Sequence, residues 1–180
     1  MKRTTLLLAL ALTAGTLFAQ KKTTTSATIS FDATTSTDQF PKAENKTAVA
    51  ALDTKKGTVA FEAVIKNFSF SNPKIQEHFN AEGWMNSDKF ASATFKGKIT
   101  NLAAINFAKD GTYTADVAGD LTIHGETKPV TTKATVVVSG ASITTTSTFK
   151  INLDDYKVTG AAIGAGKVAK EPTITVSAVF

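Results

Sequence analysis

The sequence predicts an all-β protein: eight antiparallel strands closed into a barrel, with one short helical insertion. Three observations carry this. Short runs in which apolar residues alternate with Thr, Lys, Ser or Asp recur eight times. Breaks of hairpin length, several with glycine, separate many of them. One segment, residues 73–80, departs from the alternation and reads as helix. Period-two alternation marks a strand with one buried face, and short links between consecutive strands call for antiparallel neighbours.

Residues 1–19 read as an export signal. Lys2 and Arg3 supply a positive start, Leu6 to Leu12 an apolar stretch, and Leu17-Phe18-Ala19 a closing segment before Gln20. That order describes a secretory signal peptide with cleavage after Ala19, and the apolar stretch is shorter than the roughly 20 residues a membrane-spanning helix needs. The expected location is therefore periplasmic or secreted. Residues 20–180 are expected to form a single domain, of a size that can build one core. The chain has no cysteine, which excludes disulfides and a lipid-modified cysteine, so the domain must hold together by burial.

Residues 20–26 are threonine-rich and polar and read as a loose lead-in. The first strand alternates at Ala27, Ile29 and Phe31, and the second lies near Thr47 to Leu52. The third carries Val59, Phe61, Ala63 and Ile65. Its phase slips at Asn67 so that Phe68 and Phe70 share a side, as a β-bulge allows. The fourth places Ala93, Phe95, Gly97 and Ile99 opposite Thr94, Lys96 and Lys98. The fifth runs through Tyr113, Ala115, Val117, Gly119, Leu121 and Ile123, and the sixth through Val130, Ala134, Val136 and Val138. The seventh spans Ile143 to Ile151, and the eighth ends with Ile174, Val176, Ala178 and Phe180.

Lys109-Asp110-Gly111, His124-Gly125-Glu126 and Ser139-Gly140 supply turn residues with glycine available for positive φ. Pro129 and Pro172 stand near strand starts, where a missing donor is tolerated. The helical segment has Ser71 or Asn72 as N-cap and Pro73 in its first turn, and Ile75 and Phe79 are spaced to share a face. Residues 152–171, with Gly160, Gly164 and Gly166, form a long loop before the last strand.

Eight strands is the count at which a barrel is either filled by its own side chains or holds one small ligand. The apolar face includes Ala63, Ala93, Gly97, Ala115, Gly119, Ala134 and Ala178 among larger residues. Empty volume costs roughly 24 cal/mol per Å³. These small residues therefore reserve room for an apolar guest, or else fit the barrel's taper; from the residues alone both readings stand. If a cavity is present, its lining is expected from Phe61, Ala63, Ile65, Phe95, Ile99, Val117, Leu121, Val136, Phe149 and Val176 on strands. Phe79 and Trp84 near the helix would join them, as a plug or gate at the mouth or as plain core.

Arg3 is the only arginine, and the formal charge of +5 becomes +3 without Lys2 and Arg3. Phosphate and base recognition leans on the arginine fork, and the lysines are scattered singly, which argues against nucleic-acid binding. His78 and His124 are the two histidines. They lack the spacing and companions of a zinc site and have no serine or cysteine partner for nucleophilic catalysis. His124, at a turn, is expected to serve structure through ring hydrogen bonds; His78 faces solvent or the barrel mouth. Asp154 and Asp155 are adjacent and point apart on an extended chain, so they read as solvated loop charge. The glycines of 160–166, near Lys157, Lys167 and Lys170, could cradle an anion but lack a strand-to-helix phosphate-loop context. No catalytic residue, metal or cofactor is assigned, and an enzyme is not expected.

The stretch Gly119-Asp120-Leu121-Thr122-Ile123-His124-Gly125-Glu126-Thr127-Lys128-Pro129-Val130 closely resembles the strand-turn-strand signature of YceI-like proteins, the polyisoprenoid-binding periplasmic family. Gln76-Glu77-His78-Phe79-Asn80, Met85-Asn86-Ser87-Asp88-Lys89-Phe90 and Ala93-Thr94-Phe95-Lys96-Gly97 are similar to that family's helix and following strand. The resemblance spans about residues 57 to 180. Two departures, Ala91-Ser92 where the family usually has a proline and the absence of a histidine-serine pair near the first strand, bear on ligand specificity more than on fold. The resemblance implies a lipocalin-like barrel that carries a polyisoprenoid, a fatty chain or a similar amphiphile, without stable membrane insertion. The alternative is a small eight-stranded outer-membrane barrel with its apolar side turned to lipid. Against it stand one Trp and two Tyr, too few for interfacial aromatic girdles.

Overall fold

The computed structural model describes residues 20–39 and 41–180; the expected export signal at 1–19 lies outside the described residues. Among the described residues nine strands form: β1 Lys21–Asp32, β2 Lys42–Asp53, β3 Thr58–Val64, β4 Ser69–Phe70, β5 Ser92–Ile99, β6 Gly111–Ile123, β7 Glu126–Ser139, β8 Ser142–Lys150 and β9 Thr173–Val179. Two helices, α1 Pro73–Asn80 and the single-turn α2 Ala161–Gly164, accompany them. The sheet order β1-β9-β8-β7-β6-β5-β3-β2, with β1 pairing back to β2, closes an eight-stranded antiparallel barrel. β4 adds two rungs on β2, through Ala43↔Phe70 and Glu44↔Ser69.

Local sequence explains the elements. Asn72 caps α1, its side chain accepting from the Lys74 N–H at 2.9 Å, with Pro73 in the first turn. The β6–β7 turn places His124 at φ 52° and Gly125 at φ 80°, the left-handed pair that a tight two-residue hairpin requires. Among the departures from expectation, the polar lead-in is not loose. Lys21 to Thr24 form the start of β1, paired with Asp53 to Ala50, whereas β9 joins β1 only from Thr28 to Asp32. That stretch has a ladder on one side and much solvent around it, so it carries no alternation. At Asn67 the chain makes a 3₁₀ turn, Ile65–Asn67, and not a bulge; the ladder's irregularities lie in β1, between Thr24 and Ile29. The 152–171 loop contains a 3₁₀ turn, Leu153–Tyr156, besides α2.

Buried residues form two clusters, one at each end of the barrel. One gathers α1 and the long loop over the barrel end: Phe31, Phe68, Phe70, Phe79, Trp84, Met85, Leu153, Val158, Ile163 and Val168 among others. The other holds Leu52, Ile99, Ile105, Ala115, Val117, Val136, Val138 and Ile143. Phe79 is the hub of the first, with ring centroids 4.9 Å from Phe70, 5.5 Å from Trp84 and 6.0 Å from both Phe31 and Phe68.

The β7–β8 ladder stops at Ala134↔Ser147. β7 continues back to Glu126 against β6 alone, and β8 continues to Lys150 against β9. The 3₁₀ turn Leu153–Tyr156 packs against β7 in this seam, and Lys157 Nζ pairs with Glu126 Oε1 at 2.6 Å. That hydrogen bond, set against desolvation, and the charges of Lys157 and Lys128 hold the Glu126 carboxyl below its ordinary value. Pro129 falls on the half of β7 that has no β8 rungs, the kind of edge where proline is tolerated.

Candidate functional site

Between the two packed ends the barrel is hollow. The cavity has a volume of about 170 Å³; one water needs about 10–15 Å³ by the same measure, which makes room for on the order of ten or more methylene-sized groups. Its border is overwhelmingly apolar. All twelve residues expected as lining border it: Phe61, Ala63 and Ile65 from β3 and the turn after it, Phe79 and Trp84 from the α1 cap, Phe95 and Ile99 from β5. Val117 and Leu121 of β6, Val136 of β7, Phe149 of β8 and Val176 of β9 complete the set. Sequence reasoning omitted Ile29, Val59, Phe107, Val130, Ile151 and Ile174, which border it too. Most of these sit on the same alternation phase as the residues named, so a full count of that phase finds them; Phe107, in the β5–β6 loop, has no such signal.

The decisive feature is burial. Ile29, Phe61, Phe95, Val130, Phe149 and Ile174 point inward yet are only partly buried. Large apolar side chains inside a closed barrel normally reach full burial by touching one another. Here they face open volume.

The small residues divide. Ala63, Ala93, Ala115 and Ala134 border the hollow. Gly97 and Gly119 do not add to it: they oppose each other across β5 and β6, and the Phe95 ring lies over both. A Cβ at Gly97 would come 2.7 Å from Phe95 Cζ, and one at Gly119 2.8 Å from the same atom. These glycines bed an aromatic ring and a close strand approach, so for this pair the reading of reserved space, one of the two left open, does not hold. Ala178 is 2% exposed and packs in the core.

Most of the polar side chains in the border, Thr132, Thr145, Thr146 and Ser147, lie on β7 and β8, with Thr94 on β5. On the β7–β8 wall, Thr132 and Ser147 join hydroxyls at 3.1 Å, and Ser147 Oγ donates to the Lys133 carbonyl at 2.8 Å. Trp84 borders the cavity, and its Nε1 is buried with no hydrogen-bond partner.

The remaining candidates carry no assembled chemistry. His78 is exposed on α1. The His124 ring packs against Phe90 at a tilt of 56°, centroids 4.3 Å apart, and its Nδ1 is buried without a partner. Its structural place is through ring packing, and the ring hydrogen bond expected of it is not made at Nδ1. Asp154 and Asp155 lie exposed on the 3₁₀ turn. Lys157 is engaged by Glu126, and Lys167 and Lys170 stand in solvent near α2; the glycine loop itself packs on the cap, Gly160 lying against the Gly83 carbonyl.

The outer face is polar. Outward positions carry ion pairs such as Lys133–Asp116 at 2.5 Å and hydroxyl pairs such as Thr148–Thr175 at 3.1 Å. Large apolar residues exposed there are Val49, Val64, Val137 and Val179. This is the reverse of a lipid-facing band, so the outer-membrane alternative loses its basis. No helix among the described residues is long and apolar enough to cross a membrane.

The comparisons with known proteins agree with this architecture. A UPF0312 protein of Pseudomonas fluorescens strain Pf-5 is 44% identical over 64 residues, 36% of this chain and 31% of that one. A UPF0312 protein of Pseudomonas savastanoi pv. phaseolicola is 29% identical over 124 residues, 58% of this chain and 60% of that one. The chain thus matches about a third to three fifths of the length of these curated relatives. Burkholderia cenocepacia BcnA superposes with a TM-score of 0.71 at 22% identity, covering 86% of this chain and 96% of that one. A polyisoprenoid binding domain from Saccharophagus degradans, implicated in plant cell wall breakdown, superposes with a TM-score of 0.72 at 12% identity, covering 86% and 93%. At these identities the likeness is one of fold. A family model described as the YceI-like domain matches residues 18–180, and the chain belongs to that family.

Proposed function

We propose that the protein is a periplasmic carrier that holds a polyisoprenoid, or a similar amphiphilic lipid, in the hollow of its barrel, and that it is not an enzyme. The observation that carries this reading is the row of inward, partly buried Ile29, Phe61, Phe95, Phe149 and Ile174 around a cavity of about 170 Å³. An apolar wall held away from its own packing gains from a guest. Each buried CH₂ contributes about 0.8 kcal/mol, so ten give about 8 kcal/mol. Before the cost of ordering the chain, that corresponds to a dissociation constant near micromolar. Binding of this kind needs no acid, base or nucleophile.

Membership of the YceI-like family and the fold shared with a polyisoprenoid binding domain support the reading. The signal-like residues 1–19 support export. The test is extraction of freshly purified native protein with organic solvent, followed by mass spectrometry of the extract. A prenyl or acyl chain in near-stoichiometric amount is expected; repeatedly empty extracts would overturn the proposal.

A further inference from the structure

The seam between β7 and β8 carries a second site. Where the ladder ends, the outer surface forms a recess bordered by Lys128 of β7, Lys150 of β8, and Asn152, Asp155 and Tyr156 of the adjoining turn. Val130 and Ile151 border this recess and the hollow alike. The two spaces are therefore separated by apolar side chains at a place where no backbone rungs tie the strands together.

The donors around the recess outnumber its acceptors. Of the charged residues that border the recess, two are lysines, Lys128 and Lys150, and one is an aspartate, Asp155, a net charge of +1. The Asn152 Oδ1 already accepts from the Asp154 N–H at 2.9 Å, which leaves its amide NH₂ to donate. Tyr156 is 2% exposed, yet among the described residues its hydroxyl has no hydrogen-bond partner. The phenol body is buried while its hydroxyl, unbonded to any other described residue, is free to donate to an oxygen acceptor in the recess.

We propose that the recess takes the head group of the barrel's guest, a monoanionic carboxylate or phosphodiester, while its chain passes between Val130 and Ile151 into the hollow. This rests on the carrier reading and narrows its ligand to amphiphiles with an anionic oxygen head. Lys128 and Lys150 supply charge, and the Tyr156 hydroxyl and Asn152 amide donate. The net +1 favours a single negative charge, because Asp155 repels a second.

The experiment uses chain-matched probes below their aggregation limits: palmitate, hexadecanol and, as the free anion, acetate. Binding is followed through the emission of Trp84, the single tryptophan, which borders the hollow. Palmitate is expected to bind about tenfold more tightly than hexadecanol, a preference that shrinks with added salt, and acetate is expected not to displace either. In Lys128→Gln/Lys150→Gln the preference should fall to near one with hexadecanol affinity unchanged, which also reports an intact fold. Tyr156→Phe should lower it severalfold. Equal binding of palmitate and hexadecanol by the wild type, or a preference that survives the double substitution, overturns the head-group site and leaves the carrier reading standing. If neither chain binds, both fail. Binding of acetate as tight as palmitate overturns the connection between recess and hollow.

Discussion

Gly97 of β5 stands directly opposite Gly119 of β6, and the ring of Phe95 covers the pair. A Cβ at Gly119 would lie 2.4 Å from the Lys96 carbonyl oxygen and 2.5 Å from Gly97 Cα. Backbone cannot yield as a side-chain tip can, so Gly119→Ala must push the two strands apart or unseat Phe95. Overpacking of this kind costs about 1–3 kcal/mol. The expected result is a melting temperature lowered by several degrees, read by circular dichroism; an unchanged melting temperature would show that the strands have slack at this point.

Phe79 binds the cap to the barrel through four rings. Truncation to alanine should cost about 3–5 kcal/mol, the usual range for a buried phenylalanine. Trp84, packed edge to face on Phe79, should report it locally. In Phe79→Ala its emission is expected to shift to the red before the sheet unfolds in urea. Coincident transitions by fluorescence and far-ultraviolet circular dichroism would show that cap and barrel unfold as one unit.

Tyr156 gives a pH dependence of known sign. Burial, aided by the neighbouring Asp155 charge, pushes its phenol up to about 12 from the ordinary 10. Below pH 10 both folded and unfolded chains keep the proton and the group is neutral to stability. Above pH 10 the unfolded chain releases it and the folded one does not, so stability falls as pH rises toward 12, by on the order of 2 kcal/mol. Other groups titrate there too, so the measurement is the difference between wild type and Tyr156→Phe in urea midpoint from pH 9 to 12. The wild type should lose more. Parallel curves would mean that the phenol is hydrated in the folded protein.

The strands were legible because most of the wall separates a dry side from a wet one, and alternation records that difference directly. The wall residues Phe61, Val117 and Val136 follow from phase alone. What escaped had another physical origin. The start of β2 is masked by Asn45, fully buried, whose side chain donates to the Val64 carbonyl and accepts from the Thr47 N–H; a polar residue on the inner side breaks the pattern. Gly97 and Gly119 look like vacant space until the Phe95 ring is seen over them. The seam had one trace in the sequence: Pro129, read as standing near a strand start, falls inside β7 on the stretch without β8 rungs, where proline marks an edge. The convergence of Lys128, Lys150 and Tyr156 has no such trace, because two strands and a later loop bring them together.

Filling the hollow separates binding from folding. Ala93 and Ala134 border the cavity and are only partly buried, so leucine at both positions occupies guest space and gains buried area, where the same change in a packed core would strain it. Stability should hold or rise.

Native mass spectrometry after incubation with geranylgeraniol, wild type beside Ala93→Leu/Ala134→Leu, tests the hollow most directly. The wild type is expected to carry one chain per polypeptide, and the filled variant to lose at least tenfold in occupancy while melting no lower than wild type. Equal occupancy in the two proteins, or an unloaded wild type at saturating lipid, would contradict a guest held inside the barrel.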